Sequence, residues 1–389
     1  MVTGAYHPEV SGAGLQCRSL IRACGDAANF AVLTTVLDPA LPRSDEVDGV
    51  AVERVLVSAK SRVARWLMTP AWARACLRRI RAADIVHLHG FSAKSRVVVA
   101  LARLLGRKIV VKLTSVGHDD PVSMRARGPA LFRSFSAADR FVAVSPRFKP
   151  LYEEAGLPSG KFRLIPNGVD LTRFHPARDG EKRALRARHG LPVDLPLVLF
   201  VGFFSREKCP DLLFDAWTDT FARGPASALV IVGRSRSDYY EIDASIADRV
   251  RADAARLGCA DRLFLVEHTA DIEQHYRAAD IFALPSLREG LPNAVLEAMA
   301  TGLPCVVSRL PGVTDTMITD GVDGLLVPPG DRGALAAALR ALLSDPDRGA
   351  RLGAAARRTV SDRFSLAATA AEYLRMYREL TPCAALPAQ

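Results

Sequence analysis

Two glutamates eight residues apart, Glu289 and Glu297, stand within residues 283–300, ALPSLREGLPNAVLEAMA. A β-branched run ends at Pro285-Ser286, Glu289-Gly290 forms a turn, and Pro292 suits the opening of a helix. Paired carboxylates raise the chemistry of a glycosidase acid and nucleophile. A helical span of eight residues rises ~12 Å, whereas glycosidase carboxylates sit roughly 5–9.5 Å apart across one bond. Hydrolysis therefore fits poorly. The spacing instead suits Glu289 on a sugar, Glu297 on a ribose, and a helix N-terminus facing phosphates between them. That layout has the length of a nucleotide sugar.

Other segments carry compatible chemistry. Residues 201–212, VGFFSREKCPDL, end a strand and place Arg206 and Lys208 ahead of a helix opened by Pro210. Two cations beside a helix dipole can clamp a diphosphate. Residues 6–16, YHPEVSGAGLQ, put Gly12, Ala13 and Gly14 at a second helix entrance, where backbone N–H groups can approach a phosphate. This is not the G-x-G-x-x-G pattern of dinucleotide folds. His118, in VGHDDP after the strand 109–113, is a loop imidazole with Lys112 and Asp119 as weaker neighbours. His87 and His89 have the look of a metal pair, but no third ligand is apparent, so no metal site is expected.

The elements that must hold these residues alternate. Runs 30–35, 85–88, 109–113 and 141–144 read as buried strands, with helical periodicity between them, as at 97–105. The pattern restarts at 196–202 and continues through 228–233, 263–266, 281–284, 305–308 and 324–327. Strand and helix in alternation predict parallel sheets covered on both faces. Ligands then bind outside the carboxyl ends of the strands, which is where the loops above lie. The polar stretch 175–194 reads as a partly helical connection between two doubly wound domains, and 365–380 as an amphipathic helix before a frayed tail. A strand within MVTGAYHP is expected to be short, or to begin upstream.

Composition bounds the partners. The 389 residues suit two domains, and 49% hydrophobic with 24% charged residues excludes disordered, collagen-like and disulfide-scaffold classes. Seven cysteines without a C-x-x-C predict a reducing compartment, with neither a disulfide framework nor a zinc site. No signal peptide is visible, and no apolar run approaches the ~20 residues that span a bilayer. The net charge of +10 is uneven: residues 1–175 hold 26 basic and 14 acidic side chains, so the surplus lies in the first half. Residues 60–81 hold seven basic side chains, no acid, and Trp66 and Trp72. That pairing predicts attachment to an anionic membrane surface; without a recognised motif, nucleic acid is not expected as a partner.

Taken in order, these segments resemble the family 4 retaining glycosyltransferases, which have the GT-B fold. Residues 6–16 resemble the glycine-rich acceptor-side loop, DIVHLHG (84–90) the D-h-h-H-x-H segment, and IPNGVD (165–170) with Phe174 the end of the N-terminal domain. ADIFALPSLREG (279–290) and the E-x7-E glutamates complete a specific set covering nearly the whole chain. The resemblance implies that Glu289 holds the donor sugar's hydroxyls and Glu297 the ribose. Backbone around Gly290, Leu291 and Asn293 would meet sugar and diphosphate, Lys208 would bind the diphosphate, and His118 would lie near the sugar. Gly202 and Gly233, at two strand ends, belong to the expected donor-binding set. Two departures stand out. Phe203 follows Gly202 where the family often has arginine, leaving Arg206 as the substitute, and Ala13 interrupts the Gly-Gly region at Gly12.

The expected protein is thus a metal-independent glycosyltransferase with two Rossmann-like domains facing a cleft. Residues 1–180 would bind a glycan, lipid-linked or other small acceptor, 181–364 the nucleotide-diphosphate sugar, and 365–389 would cross back to the first domain. The sugar nucleotide is a substrate, so no cofactor is expected. The expected location is the cytoplasm, with peripheral attachment to the membrane's inner face. A nucleotide-sugar epimerase of the same fold and a non-catalytic sugar-nucleotide-binding subunit are the alternative classes.

Overall fold

The computed structural model describes residues 1–9, 11–57, 69–221, 224–236, 242–267 and 269–381. Among them lie two largely parallel sheets. The first is built from β1 (Val2–Thr3), β2 (Ala31–Val36), β3 (Ser44–Val47), β4 (Val50–Leu56), β5 (Ile85–His89), β6 (Lys108–Leu113), β7 (Arg140–Ala143) and β8 (Phe162–Leu164), in the order β3-β4-β2-β1-β5-β6-β7-β8. Only β3 runs antiparallel. The second contains β9 (Leu197–Val201), β10 (Ala228–Val232), β11 (Leu263–Val266), β12 (Ile281–Leu284), β13 (Cys305–Ser308) and β14 (Leu325–Val327), in the order β11-β10-β9-β12-β13-β14. All its pairings are parallel.

The strands are near-continuous apolar runs because helices cover both faces of a parallel sheet. Strand β6 illustrates this: its Ile109, Val110, Val111 and Leu113 are all fully buried. The chain divides into two compact units, Met1–Gly168 with the segment from Leu366 onward, and Val169–Ser365.

The terminal helix Leu366–Leu380 packs on the first unit. Its Tyr373, Met376, Tyr377 and Leu380 share a cluster with Leu20 and Cys24 of helix Gly12–Cys24, and with Val110 and Val142 under them. Gly168 lets the chain pass this helix: a Cβ there would lie 2.5 Å from Leu366 Cα and 2.7 Å from Thr369 Oγ1.

Three features depart from the expected pattern. The hairpin β3–β4 is absent from the strands expected above, although it carries its own signal: Asp48-Gly49 sits at φ 54° and 76° between the two strands, the geometry of a two-residue type I′ loop. β8 likewise escapes a reading based on apolar runs, because its Arg163 and exposed Leu164 give it no buried face. The membrane reading of 60–81 is corrected in part. Trp72 is 7% exposed and its indole donates to the Lys94 carbonyl at 3.3 Å, so it packs inside the unit rather than meeting lipid. Arg78 and Arg79 of helix Thr69–Arg81 both pair with the buried Glu53. Trp66, residues 60–65 and the tail 382–389 lie outside the described residues. Among the described residues, no helix is long and apolar enough to cross a membrane.

Gly168→Ala is expected to destabilise the protein by about 1–3 kcal/mol, since the clash falls on backbone. Denaturant unfolding checks this; an unchanged midpoint would contradict the docking of the terminal helix described above.

Candidate active site

The second sheet reverses its order at one place. Strands β9, β10 and β11 build outward on one side, and β12, β13 and β14 on the other, so β9 and β12 are neighbours whose chains leave in opposite directions. A crevice opens there, outside the carboxyl ends of the strands. The loops following β9, β10 and β12 surround it.

Glycine shapes the first two loops. A Cβ on Gly233 would lie 1.8 Å from the Gly202 carbonyl oxygen, so no side chain is possible there. A Cβ on Gly202 would press the Phe200 ring at 3.1 Å. With side chains absent, Gly202 N–H reaches the Val232 carbonyl at 3.0 Å and Phe204 N–H the Arg234 carbonyl at 3.2 Å. The β9 loop is thereby fixed against the β10 loop.

The β9 loop then meets the β12 loop. Leu287 N–H donates to the Glu207 carbonyl at 2.8 Å. Arg288 pairs with the Glu207 carboxylate, and Lys208 Nζ donates to Glu289 Oε1 at 2.5 Å. The Glu289 side chain is only 8% exposed, while Lys208 keeps 28%. A carboxylate so deeply placed requires a cation, and Lys208 supplies it across the crevice. Cys209 follows with a left-handed backbone, φ 52°, and its thiol donates to the Arg206 carbonyl at 3.0 Å. Such a conformation is costly for a residue other than glycine and is kept where the surroundings impose it. Here it turns the chain from Lys208 directly into helix Pro210–Asp219.

After Glu289, buried Gly290 and Leu291 lead into helix Asn293–Ala300. Its N-cap is Pro292, which has no side-chain acceptor for the first-turn N–H groups. A helix start capped this way is suited to an anion. About one turn later, Glu297 Oε2 lies 2.8 Å from the Tyr276 hydroxyl. Tyr276 is fully buried, with Phe174 packed edge-on at 5.8 Å and Phe282 at the same distance. Burial pushes the Glu297 carboxyl up to about 7, against opposing pulls from the Tyr276 hydroxyl and Arg173.

Of the remaining predicted residues, Arg206 lies in the same β9 loop and the others lie in the first unit. Arg206 is 86% exposed and pairs with Asp243 at 3.1 Å rather than with the Lys208–Glu289 pair. Gly12 and Ala13 form the first turn of helix Gly12–Cys24 in the first unit. Ser11 caps that helix by accepting from Gly14 N–H at 3.0 Å. Gly14 is the glycine that the turn requires, since a Cβ there would meet the Ala5 carbonyl oxygen at 2.3 Å. His118 is half-buried in the loop after β6. Two buried aspartates build that loop: Asp119 accepts from Thr114 and Ser115 N–H, and Asp120 accepts from Gly117 and Ser123 N–H. Burial raises Asp119 to about 6.

Lys112 is buried with its ammonium 5.6 Å from the Tyr373 ring centroid, and burial lowers it to about 8. His87 and His89 are buried with ring centroids 4.4 Å apart, and His87 Nδ1 lies 2.7 Å from the Tyr377 hydroxyl. Among the described residues, no group of three or more His, Cys, Asp or Glu side chains is placed to hold a metal ion.

Sequence reasoning missed Glu207, Arg288 and Tyr276. The first two had a signal: the dipeptides Glu207-Lys208 and Arg288-Glu289 carry opposite charges in matching order. Tyr276 had none, because its role depends on a neighbour from another helix.

A sheet of this order, with a cation–carboxylate pair at its reversal and a second carboxylate one turn into the following helix, is that of a doubly wound α/β unit with a ligand crevice at the switch point. Comparison with known proteins narrows the class. The family model described as glycosyltransferase family 4 matches residues 10–173, and that described as glycosyl transferases group 1 matches 181–359. A D-inositol 3-phosphate glycosyltransferase of Kineococcus radiotolerans is 33% identical over 315 residues, 76% of this chain and 71% of that enzyme. Two solved structures share the fold. Sucrose-phosphate synthase from Thermosynechococcus elongatus has a TM-score of 0.78 at 23% identity, over 98% of this chain and 99% of its own. Anabaena Alr3699/HepE in complex with UDP-glucose has a TM-score of 0.76 at 20% identity, over 97% and 99%.

The chain belongs to glycosyltransferase family 4, with the two parallel α/β sheets of the GT-B fold. It is a retaining glycosyltransferase that transfers a sugar from a nucleotide-diphosphate sugar.

Lys208→Ala and Glu289→Ala are each expected to lower transfer by about 10²–10³-fold with an unchanged circular dichroism spectrum. The double variant should lose little more than the worse single one, because the pair acts as a unit; near-wild-type turnover in either single variant would contradict the assignment. Glu297 gives a second prediction. Its folded form holds a proton between the ordinary 4.5 and about 7, so its contribution to stability is present below that window and lost as pH rises through it. Glu297→Gln should therefore flatten the stability–pH curve of the ligand-free protein between pH 4.5 and 7. Denaturant unfolding at several pH values measures this, and an unaltered slope would count against it.

Proposed function

We propose that the second unit binds the donor with its diphosphate on Lys208 and the start of helix Asn293–Ala300, its sugar on Glu289, and its ribose on Glu297. The observation that carries this reading is the Lys208–Glu289 pair across the β9–β12 crevice. In the ligand-free protein each side chain neutralises the other. A donor splits that pairing, giving the ammonium a diphosphate and the carboxylate a set of hydroxyl donors. Arg206, exposed and held by Asp243, is the nearest substitute for the family arginine replaced by Phe203.

The bond between the anomeric carbon and the diphosphate oxygen breaks, and the acceptor oxygen bonds that carbon on the same face. The acceptor proton passes to the departing diphosphate oxygen. Lys208 and the helix start stabilise the negative charge that develops there. Their positive charge supplies what a divalent ion would otherwise provide, so the reaction is metal-independent. In this reading His118 serves the donor sugar, and Gly12 and Ala13 offer backbone from the first unit.

The first unit takes the acceptor. The Kineococcus relative's name points to a phosphorylated inositol as the first compound to try, ahead of longer glycan or lipid-linked acceptors. Six buried cysteines without disulfides among the described residues support a cytoplasmic location. The exposed Arg74 and Arg81 support peripheral attachment to the inner face of the membrane through 60–81.

Incubation with UDP- and GDP-sugars and a phosphorylated inositol, followed by NMR of the anomeric proton, tests the proposal. The product should keep the donor's anomeric configuration, at a rate unchanged by EDTA, and the protein should sediment with anionic vesicles less as salt rises. An inverted product, a rate abolished by EDTA, or equal binding to neutral vesicles would each overturn the corresponding part. Epimerised sugar nucleotide formed without an acceptor would mark an epimerase instead.

A further inference from the structure

Glu297 stands about one turn into helix Asn293–Ala300 with part of its surface open, and among the described residues Oε2 is the carboxylate oxygen that has a hydrogen-bond partner. That partner is the Tyr276 hydroxyl, carried by the neighbouring helix Ile272–Ala278. The phenol has one proton and two acceptors in reach, Glu297 Oε2 at 2.8 Å and the Ala294 carbonyl at 3.2 Å. The shorter contact goes to the carboxylate. Burial, and then that carboxylate, hold the phenol well above its ordinary range, so it keeps its proton through neutral pH and acts as a donor.

Packing fixes where that donor points. Tyr276 is fully buried and its ring lies against Phe174 and Phe282. A buried phenol must give its hydroxyl a partner. The other groups around Glu297 are engaged elsewhere. Arg173 pairs with Glu273 at 2.8 Å, and the two pull the Glu297 carboxyl in opposite directions. On the other elements packed against the helix, Cys305 of β13 is held as a thiol by burial, and Arg357 of helix Pro346–Arg363 donates to the carbonyls of Leu171, Phe174 and Ala300. Of the groups that favour the ionised form of Glu297, Tyr276 acts most strongly.

Resting on the reading that Glu297 holds the donor's ribose, we infer that Tyr276 is the positioning residue for that contact: its hydroxyl pins Oε2 and leaves Oε1 to accept from the ribose hydroxyls. Without this bond the carboxyl group is free to turn, and burial drives it to its protonated form. A protonated carboxyl presents an O–H where the ribose also offers donors. Tyr276 therefore sets the pH range over which the nucleotide is held, acting through Glu297.

Calorimetric binding across the Glu297 titration at about 7 tests this without turnover. Wild type and Tyr276→Phe are titrated with UDP, GDP and ADP, with their 2′,3′-dideoxy forms, and with inorganic pyrophosphate. Wild type should bind at least one nucleotide more tightly than its dideoxy form, and lose affinity as pH falls through about 7. Tyr276→Phe should bind that nucleotide about tenfold more weakly at neutral pH. The gap should narrow as pH rises, because Glu297 of the variant ionises at higher pH. The nucleotide's own titration is common to both proteins and cancels in their ratio. Pyrophosphate has no ribose and should bind both proteins alike, since the variant keeps the ring and its packing. A ratio that stays flat with pH, wild-type nucleotide affinity in Tyr276→Phe, or an equal loss of pyrophosphate binding would overturn the inference alone. Wild type that binds none of the three nucleotides, or binds the dideoxy forms as tightly, would overturn the ribose reading and this inference with it.

Discussion

A parallel sheet that grows outward from its middle strand has one place where neighbouring loops part. In the second unit that place lies between β9 and β12, and the residues that matter most are the ones that bridge it. Leu287 to Glu207, Arg288 to Glu207 and Lys208 to Glu289 are three successive ties between two loops that strand order alone would let separate. Glycine at 202 and 233 makes the approach possible by removing side chains where backbone must meet backbone.

The electrostatics follow from this closeness. Glu289 is nearly enclosed, so its charge depends on Lys208, and losing either partner leaves the other exposed to the cost of an unpaired charge. Glu297 is treated differently. It has a tyrosine hydroxyl rather than a cation, and burial moves its titration toward neutrality. Two carboxylates eight residues apart are thus held in different states by their surroundings. The first is paired with a cation across the crevice. The second sits near its own titration point, where it can either accept or donate.

Most strands were legible as apolar runs, because burial on both faces leaves few polar positions to blur them; β3, β4 and β8 were not read that way. Glu289, Glu297 and Lys208 stood out in the sequence by type and spacing, and the structure places the three around one crevice of the second unit. The ion pair of Arg206 with Asp243 is one that sequence alone does not show, because the two are 37 residues apart. Trp72 shows a further limit, because an indole beside basic residues suits a membrane and a core equally well, and only Lys94 and the surrounding packing decide it.

The central claim is that the β9–β12 crevice, spanned by Lys208 and Glu289, is the donor site. A crystal structure of the chain with a bound nucleotide-diphosphate sugar tests it most directly. The diphosphate is expected on Lys208 and the start of helix Asn293–Ala300, the sugar hydroxyls on Glu289, and the ribose hydroxyls on Glu297. A donor seated away from these residues, with the Lys208–Glu289 hydrogen bond intact, would contradict it.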